Sequence, residues 1–418
     1  MSINHHLLAK TTTDKILYNF KSAAWSSVNG AGVDFYRIGC NSNFPSPDAA
    51  FKDDTNKLTV AFEFKPPTET KRGILTGLGQ SIAYLNSSNL SYLVIPEYLQ
   101  DFKIGQFISD LFTTQISTKL PVGLITYDND NPSNVKLMNN VSLVNSVSIS
   151  NTITNNRFWA KHQDLPVPLF HLLLHCYYLK KTGQIEEDGF AYCWDNFLFP
   201  SNSIRSLSSP DVFDLHGNVI KTLSGAKHIK FMEKKINKVK KLSGSDKVVA
   251  IKKLYQDADS SFTSDNYYNS VRKNYVTFLK HIEMIDSNGE ITEDGFKLYH
   301  LGLVNGPSSK LFFDYFIKTI LLTGNHLDLI FDLDKLCNQY KGSYDFNQIK
   351  QEMLKDYDSR GMIKSNPKRI ANTSSTVSFL KYEEILWNSL GLKSNSAGTP
   401  NVSFNWKKIT EVCSLPDL

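Results

Sequence analysis

The sequence predicts an α/β domain at its N-terminal end, a mixed sheet flanked by helices, followed by a mainly α-helical region. Three observations predict it. Two strand-like runs, AAF and LTVAFEF, flank the polar KDDTNK and read as a β-hairpin. Two helical patterns, ILTGLGQSIAYLN and DFKIGQFISDLFTTQIS, then alternate with short apolar runs, LSYLVIPE and LPVGLITYD. Beyond about residue 155 the strand-like runs give way to long helical patterns.

The elements follow in order. Asp14–Val28 carries Ile16, Leu17, Phe20, Ala24 and Trp25 at helical spacing and predicts a first helix ended by Asn29-Gly30. VDFYRIG reads as a strand before the turn-rich CNSNFPSPD, and the hairpin comes next. LSYLVIPE and LPVGLITYD are short, apolar and rich in β-branched or aromatic residues, as strands buried on both faces are. The polar stretch 129–156 reads as a hairpin edge plus a linker, which puts the first domain at 1–155. A helical connecting region, 156–210, contains RFWAKHQDLPVPLFHLLLHCYYLKKTG and ends in a Ser-rich loop. The rest, 211–418, reads as helical. Within it, 267–303 runs helix, turn with a short strand-like EIT, and helix, an order common in winged-helix modules. No repeat of fixed period appears.

Charge and cysteines narrow the function classes. The net charge of +5 is modest, but 219–283 holds 14 Lys/Arg against 6 Asp/Glu, a net of +8, so the remainder is about −3 (5 − 8). Such concentration suits a polyanionic partner, although a solvated lysine-rich helix produces it too. The five cysteines form no Cys-x-x-Cys pair, which points to a reducing compartment. Met1–Lys10 has no apolar core of a signal peptide, and Phe170–Leu179 is too short to span a bilayer. The expectation is a cytoplasmic protein with no membrane partner.

The chemistry gathers around VAFEFKPP, residues 60–67. Asp48 precedes Glu63 by 15 positions (63 − 48), with the hairpin turn between them. Strand side chains alternate, so Glu63 and Lys65 share a face. Two carboxylates and an ammonium at one strand end suit phosphodiester hydrolysis with a hard cation held by oxygen ligands. Asp48, Glu63 and the Phe64 carbonyl would hold Mg²⁺, for which Mn²⁺ could substitute. Lys65 would position the attacking water and stabilise developing charge. A surface ion pair between Glu63 and Lys65 is the bland competing reading.

Pro47-Asp48 followed at this spacing by Glu63-Phe64-Lys65 resembles the PD-(D/E)XK nuclease superfamily. Gln80 and Tyr84, at i and i+4 on the next helix, resemble a glutamine helix seen in several of its branches, and LSYLVIP matches the next core strand. The resemblance covers roughly 14–128. It implies a mixed sheet flanked by helices and an active site of Asp48, Glu63, Lys65 and Gln80. Family members often add an acid from the first helix. Here Asp14 and Asp34 are the only acids before Asp48, and neither is assigned. With a separate basic region, the resemblance is to type II restriction endonucleases and consistent with type IIS, which cut at an offset from their site. It implies double-stranded DNA as partner, a homodimer at least transiently on DNA, and a separately encoded methyltransferase. A repair, recombination or phage-defence nuclease stays open, as does a DNA-binding protein with an inactive nuclease-like domain.

Lys71, Arg72, Arg272 and Lys273 are candidate nucleic-acid contacts, against the alternatives of a solvated loop and a packed helix. His171 and His175, at i and i+4, lack the glutamate of a metalloprotease motif and read as core histidines. GLGQSI lacks the third glycine of a dinucleotide fingerprint, and there is no P-loop and no Gly-x-Ser-x-Gly.

Overall fold

The computed structural model describes residues 3–22, 25, 32–39, 45–116, 119–141, 157–161, 166–198, 213–220, 235–262, 265–367, 379–395 and 402–418. The chain forms two compact units. One comprises Met1–Ala160, Gly324–Phe379 and Asn395–Ser403; the other comprises Lys161–Thr323, Leu380–Ser394 and Phe404–Leu418.

The first unit is built on a six-stranded mixed sheet in sequence order: β1 (Tyr36–Ile38), β2 (Ala49–Asp53), β3 (Leu58–Phe64), β4 (Leu90–Pro96), β5 (Val122–Tyr127) and β6 (Val135–Asn139). The central β3, β4 and β5 are parallel, and β1, β2 and β6 pair antiparallel with their neighbours. All three parallel strands are buried along their whole length, as their apolar runs predict. Helix α2 (Lys71–Ala83) carries the chain from β3 to β4, and α3 (Ile104–Thr114) carries it from β4 to β5. The strand order advances one step each time, so right-handed crossovers put both helices on one face. There Ile74, Leu93, Ile95, Ile104, Ile108, Phe112 and Leu124 form one core cluster. The opposite face is aromatic. Phe20 of α1 (Ile3–Lys21) packs edge-on against Phe35 and Tyr92, and Tyr92 stacks on Phe62 at 5.7 Å.

Two expectations shift. The first helix covers Ile3–Lys21 rather than Asp14–Val28, although Ile16, Leu17 and Phe20 do form its buried face. The polar stretch after residue 129 supplies the edge strand β6; 142–156 lie outside the described residues, as do the Ser-rich loop 201–210 and Cys40. Helices α10 (His326–Gln339) and α11 (Phe346–Arg360) also belong to this unit.

The second unit is helical, with α4 (Val167–Lys181), α5 (Gly189–Cys193), α6 (Gly244–Phe262), α7 (Asp265–His281), α8 (Glu293–Asn305), α9 (Lys310–Leu321), α12 (Lys381–Ser389) and α13 (Trp406–Cys413). A local echo runs through it at one offset of 106 residues (289 − 183). Gly183–Phe190 reads GQIEEDGF and Gly289–Phe296 reads GEITEDGF, identical at six of eight positions. Both leading glycines have positive φ, +70° and +80°, and each amide donates to the carbonyl three residues back. A side chain at either place would be strained. The copies exchange partners: Tyr178 of α4 packs on Phe296 of α8, while Tyr275 of α7 packs on Phe190 of α5. Residues 267–303 run helix, turn and helix, with an antiparallel bridge between Ile285 and Ile291. Among the described residues no helix is long and apolar enough to cross a membrane.

Candidate active site

The hairpin brings Asp48 to Glu63. Ala49 pairs with Phe62, so one further step of the antiparallel register sets Asp48 opposite Glu63. Asp48 is held there from both ends: its amide donates to the Phe62 carbonyl (3.1 Å), and its Oδ2 accepts from the Phe64 amide (2.7 Å). The carboxylate therefore lies against the last peptide of β3.

Glu63 is level with Leu93 in the parallel ladder and faces α2. It is only 3% exposed. Its Oε1 lies 2.7 Å from the Lys65 ammonium, and its Oε2 accepts from the Tyr84 hydroxyl. Lys65 Nζ also donates to Gln80 Oε1 (3.0 Å). Burial pushes the Glu63 carboxyl above its ordinary range, and the Lys65 and Tyr84 hydrogen bonds pull it back only in part. Strand and helix thus converge on one cluster of Glu63, Lys65, Gln80 and Tyr84.

Local sequence explains why the cluster can form. Strand β3 ends at Phe64, and Pro66-Pro67 cannot continue it. Thr70 then caps α2 by accepting from the Gly73 amide (2.9 Å), which directs the helix back over β3. Gly77 lets the lysine through: a Cβ there would stand 2.6 Å from Lys65 Cε and 3.1 Å from Leu93 Cδ1. The Lys65 carbonyl accepts from the Tyr127 hydroxyl (2.7 Å), which fixes the strand end from β5.

The donor set suits a hard cation. Asp48, Glu63 and the Phe64 carbonyl are all oxygen donors at one strand end, and a carboxylate oxygen that accepts one hydrogen bond keeps a second lone pair. Among the described residues no group of three or more His, Cys, Asp or Glu forms a closed cage.

Of the other candidates, Lys71 and Arg72 are exposed at the start of α2, and Lys71 Nζ stands 4.0 Å from the Phe102 ring centre. Arg272 is paired with Asp188 at 3.3 Å, whereas Lys273 is exposed. His171 Nε2 lies 3.0 Å from the Tyr299 carbonyl and His175 Nδ1 lies 3.1 Å from the Tyr299 hydroxyl, so both histidines are engaged in packing.

Asp14 has a different task. It joins a buried ion network with Lys10 (2.7 Å) and Arg360 (3.3 Å). Lys10 also reaches Asp332 (3.0 Å), and Asp328 is gripped by His6 and Arg37, each at 2.7 Å. Burial alone would raise the Asp328 carboxyl, but the His6 and Arg37 charges hold it well below its ordinary value. Sequence reasoning missed this network, and it missed His5. Burial, then the fields of His6 and Lys65, lower the His5 pKa to about 4. A neutral imidazole of α1 therefore stands within the field of Lys65. No family model matches this chain, and no curated protein matches it.

Proposed function

We propose that this chain is a metal-dependent endonuclease acting on double-stranded DNA, of the PD-(D/E)XK kind and resembling type II restriction enzymes. One observation carries the reading. Asp48 lies at the end of β3 while Glu63, Lys65, Gln80 and Tyr84 converge beside it, at the carboxyl end of a parallel strand. Open α/β sheets bind ligands at that end.

Asp48, Glu63 and the Phe64 carbonyl would hold Mg²⁺ or Mn²⁺, which would supply charge neutralisation at the scissile phosphate and lower the pKa of a bound water. Lys65 supplies a fixed positive charge for the developing oxyanion, and Gln80 holds that ammonium in place. Glu63, pushed up by burial, favours a nearby cation over solvent. Tyr84 fixes its orientation.

Basic charge in the other unit supports DNA as the partner. Lys238, Lys240, Lys241, Lys252 and Lys253 are all exposed, and among the described residues none pairs with a carboxylate. With Arg272 committed to Asp188, these lysines and Lys273 are the better phosphate contacts. The bridged helix–turn–helix of 267–303 is the winged-helix candidate for base readout. A separate recognition unit suits cleavage at an offset, as in type IIS enzymes. One site cuts one strand, so a double-strand break needs two copies on DNA. A companion methyltransferase would protect the host, and such a system works in the cytoplasm.

The test is plasmid cleavage with Mg²⁺ or Mn²⁺. Asp48→Ala and Lys65→Ala should each lose cutting by about 100-fold or more while duplex binding persists. Unchanged cutting by both variants removes the site from the proposal. Duplex binding without cutting under any divalent cation would instead make the chain a DNA-binding protein. Cut ends that map to structures or damage rather than to one sequence would assign it to repair or recombination.

A further inference from the structure

The carboxyl edge of the parallel strands carries a second feature. Between β4 and α3 the chain closes on itself: the Leu99 amide donates to the Phe102 carbonyl (2.9 Å) and the Phe102 amide returns to the Leu99 carbonyl (3.0 Å). Leu99 is buried as the loop's anchor, and Gln100 takes a left-handed φ of +54° at its tip. From the loop after β5, the Asn129 side chain accepts from the Tyr98 amide (3.2 Å) and donates to the Tyr98 carbonyl (2.9 Å). The loop is fixed in place before any partner arrives.

This fixed loop turns aromatic rings outward. Tyr98 is 40% exposed, Phe102 37%, and Phe107 of α3 45%; the two phenylalanine rings are 5.7 Å apart. The Lys71 ammonium stands over the Phe102 ring, and exposed Arg72 and Lys103 adjoin Lys71 and Phe102 in the chain. Of the acids near them, Glu97 pairs with Lys136 (2.5 Å), Glu69 accepts from the Thr70 amide (2.8 Å) and Gln106 donates to Asp110 (2.8 Å), while Asp101 is exposed. Exposed rings interleaved with cations are what a strand of unpaired bases needs: π faces for stacking and positive charge for phosphates.

We propose that Tyr98, Phe102 and Phe107 form a stacking platform for unpaired bases of a DNA strand, with Lys71, Arg72 and Lys103 holding its phosphates. It rests on DNA as the partner proposed above. Lys71 precedes Gln80 by nine residues (80 − 71), about 14 Å along a helix. That separation sets the platform a few nucleotides from the scissile phosphate. The substrate is then a duplex that opens into a few unpaired bases beside the cut.

The full chain is titrated in EDTA, so that nothing is cut, against forked, single-stranded and blunt duplex oligonucleotides carrying 2-aminopurine in the unpaired segment. Wild type should bind the fork more tightly than the blunt duplex and quench the probe. Phe102→Ala with Phe107→Ala should abolish the quench and weaken fork binding by about tenfold or more, with blunt-duplex binding unchanged. Phe102→Tyr with Phe107→Tyr should restore both, which separates stacking from misfolding. An unquenched probe with wild type overturns the proposal. So does an alanine pair that binds the fork as wild type does, or one whose only change is a lost dimer in sedimentation. Quenching without any plasmid cleavage under metal would leave the platform standing and remove the nuclease reading; cleavage without quenching does the reverse.

Discussion

Two buried carboxylates of the same unit, Asp328 and Glu63, have been given opposite electrostatic settings. Asp328 is fully buried and faces the Arg37 guanidinium and the His6 imidazole, each at 2.7 Å. Glu63 is almost as buried but has one ammonium, shared with Gln80, and one phenol. The first carboxyl is driven below its ordinary pKa and the second is driven above it. A network that compensates its charge in full holds the fold together. A cluster that leaves a carboxylate short of positive charge is poised to take a cation.

The largest expected effect breaks the compensated side. Asp328→Ala leaves the Arg37 guanidinium buried without its carboxylate, and arginine cannot shed its proton. Removing one member of such a pair costs about 3–5 kcal/mol, a large share of a stability of about 5–15 kcal/mol. Chemical denaturation should show the midpoint fall by that share. An unchanged midpoint would mean that Asp328 is not compensated in the way described.

Lys65→Ala tests the other side. It also strands a buried carboxylate, but Glu63 can take up a proton, toward which it is already biased. The stability loss should therefore stay near 1 kcal/mol, while cleavage falls about 100-fold or more. A loss of stability as large as that of Asp328→Ala would make the two clusters equivalent and sink the distinction.

pH sharpens the contrast because the signs differ. The Asp328 pKa is lowered, so its contribution is present above the unfolded value of 3.8 and disappears as pH falls through the folded one. The Glu63 pKa is raised, so the fold binds its proton more tightly than the unfolded chain does. Its contribution therefore declines as pH rises from the unfolded value of 4.5 through the folded one. Glu63→Gln should leave the melting temperature at pH 8 unchanged or higher, and Asp328→Asn should lower it. Melting curves from about pH 2 to 8 check both, and a Glu63→Gln variant that melts well below wild type at pH 8 contradicts the assignment.

The same contrast shows what the sequence makes legible. Asp48, Glu63, Lys65 and Gln80 lie within 33 positions (80 − 48 + 1), across one hairpin and one crossover. Strand alternation and helix spacing place such residues without knowledge of the rest of the chain. The ion network joins His6 to Asp328, 322 residues apart, and Arg37 to Asp328, 291 apart. No local pattern announces such a partner. For the same reason the start of the first helix was illegible. INHHLLAKTTT is poor in helix formers, and tertiary contacts to His6 and Lys10 override that propensity. Phe102 and Phe107 belong to the apolar run DFKIGQFISDLFTTQIS, whose helical spacing does not say which rings stay exposed. The GQIEEDGF and GEITEDGF echo was visible, but at a single offset it is not the periodic signal of a repeat array.

The smallest expected effect on the fold isolates geometry from charge. Gly77→Ala keeps every charged group of the cluster. It puts a Cβ 2.6 Å from Lys65 Cε, the far end of a flexible side chain that can move aside. Alanine is the better helix former by about 1 kcal/mol, so the displaced lysine and the gained propensity nearly offset each other. Stability should stay within about 1 kcal/mol of wild type. Lys65 would nonetheless leave Gln80 and Glu63, and a misplacement of about 1 Å near a reacting centre costs about 100-fold in rate. Plasmid cleavage and a melting curve on one preparation check both halves. Cleavage at the wild-type rate would mean that the path of Lys65 past Gly77 does not set the reaction geometry, and the poised side of the comparison would then rest on charge alone.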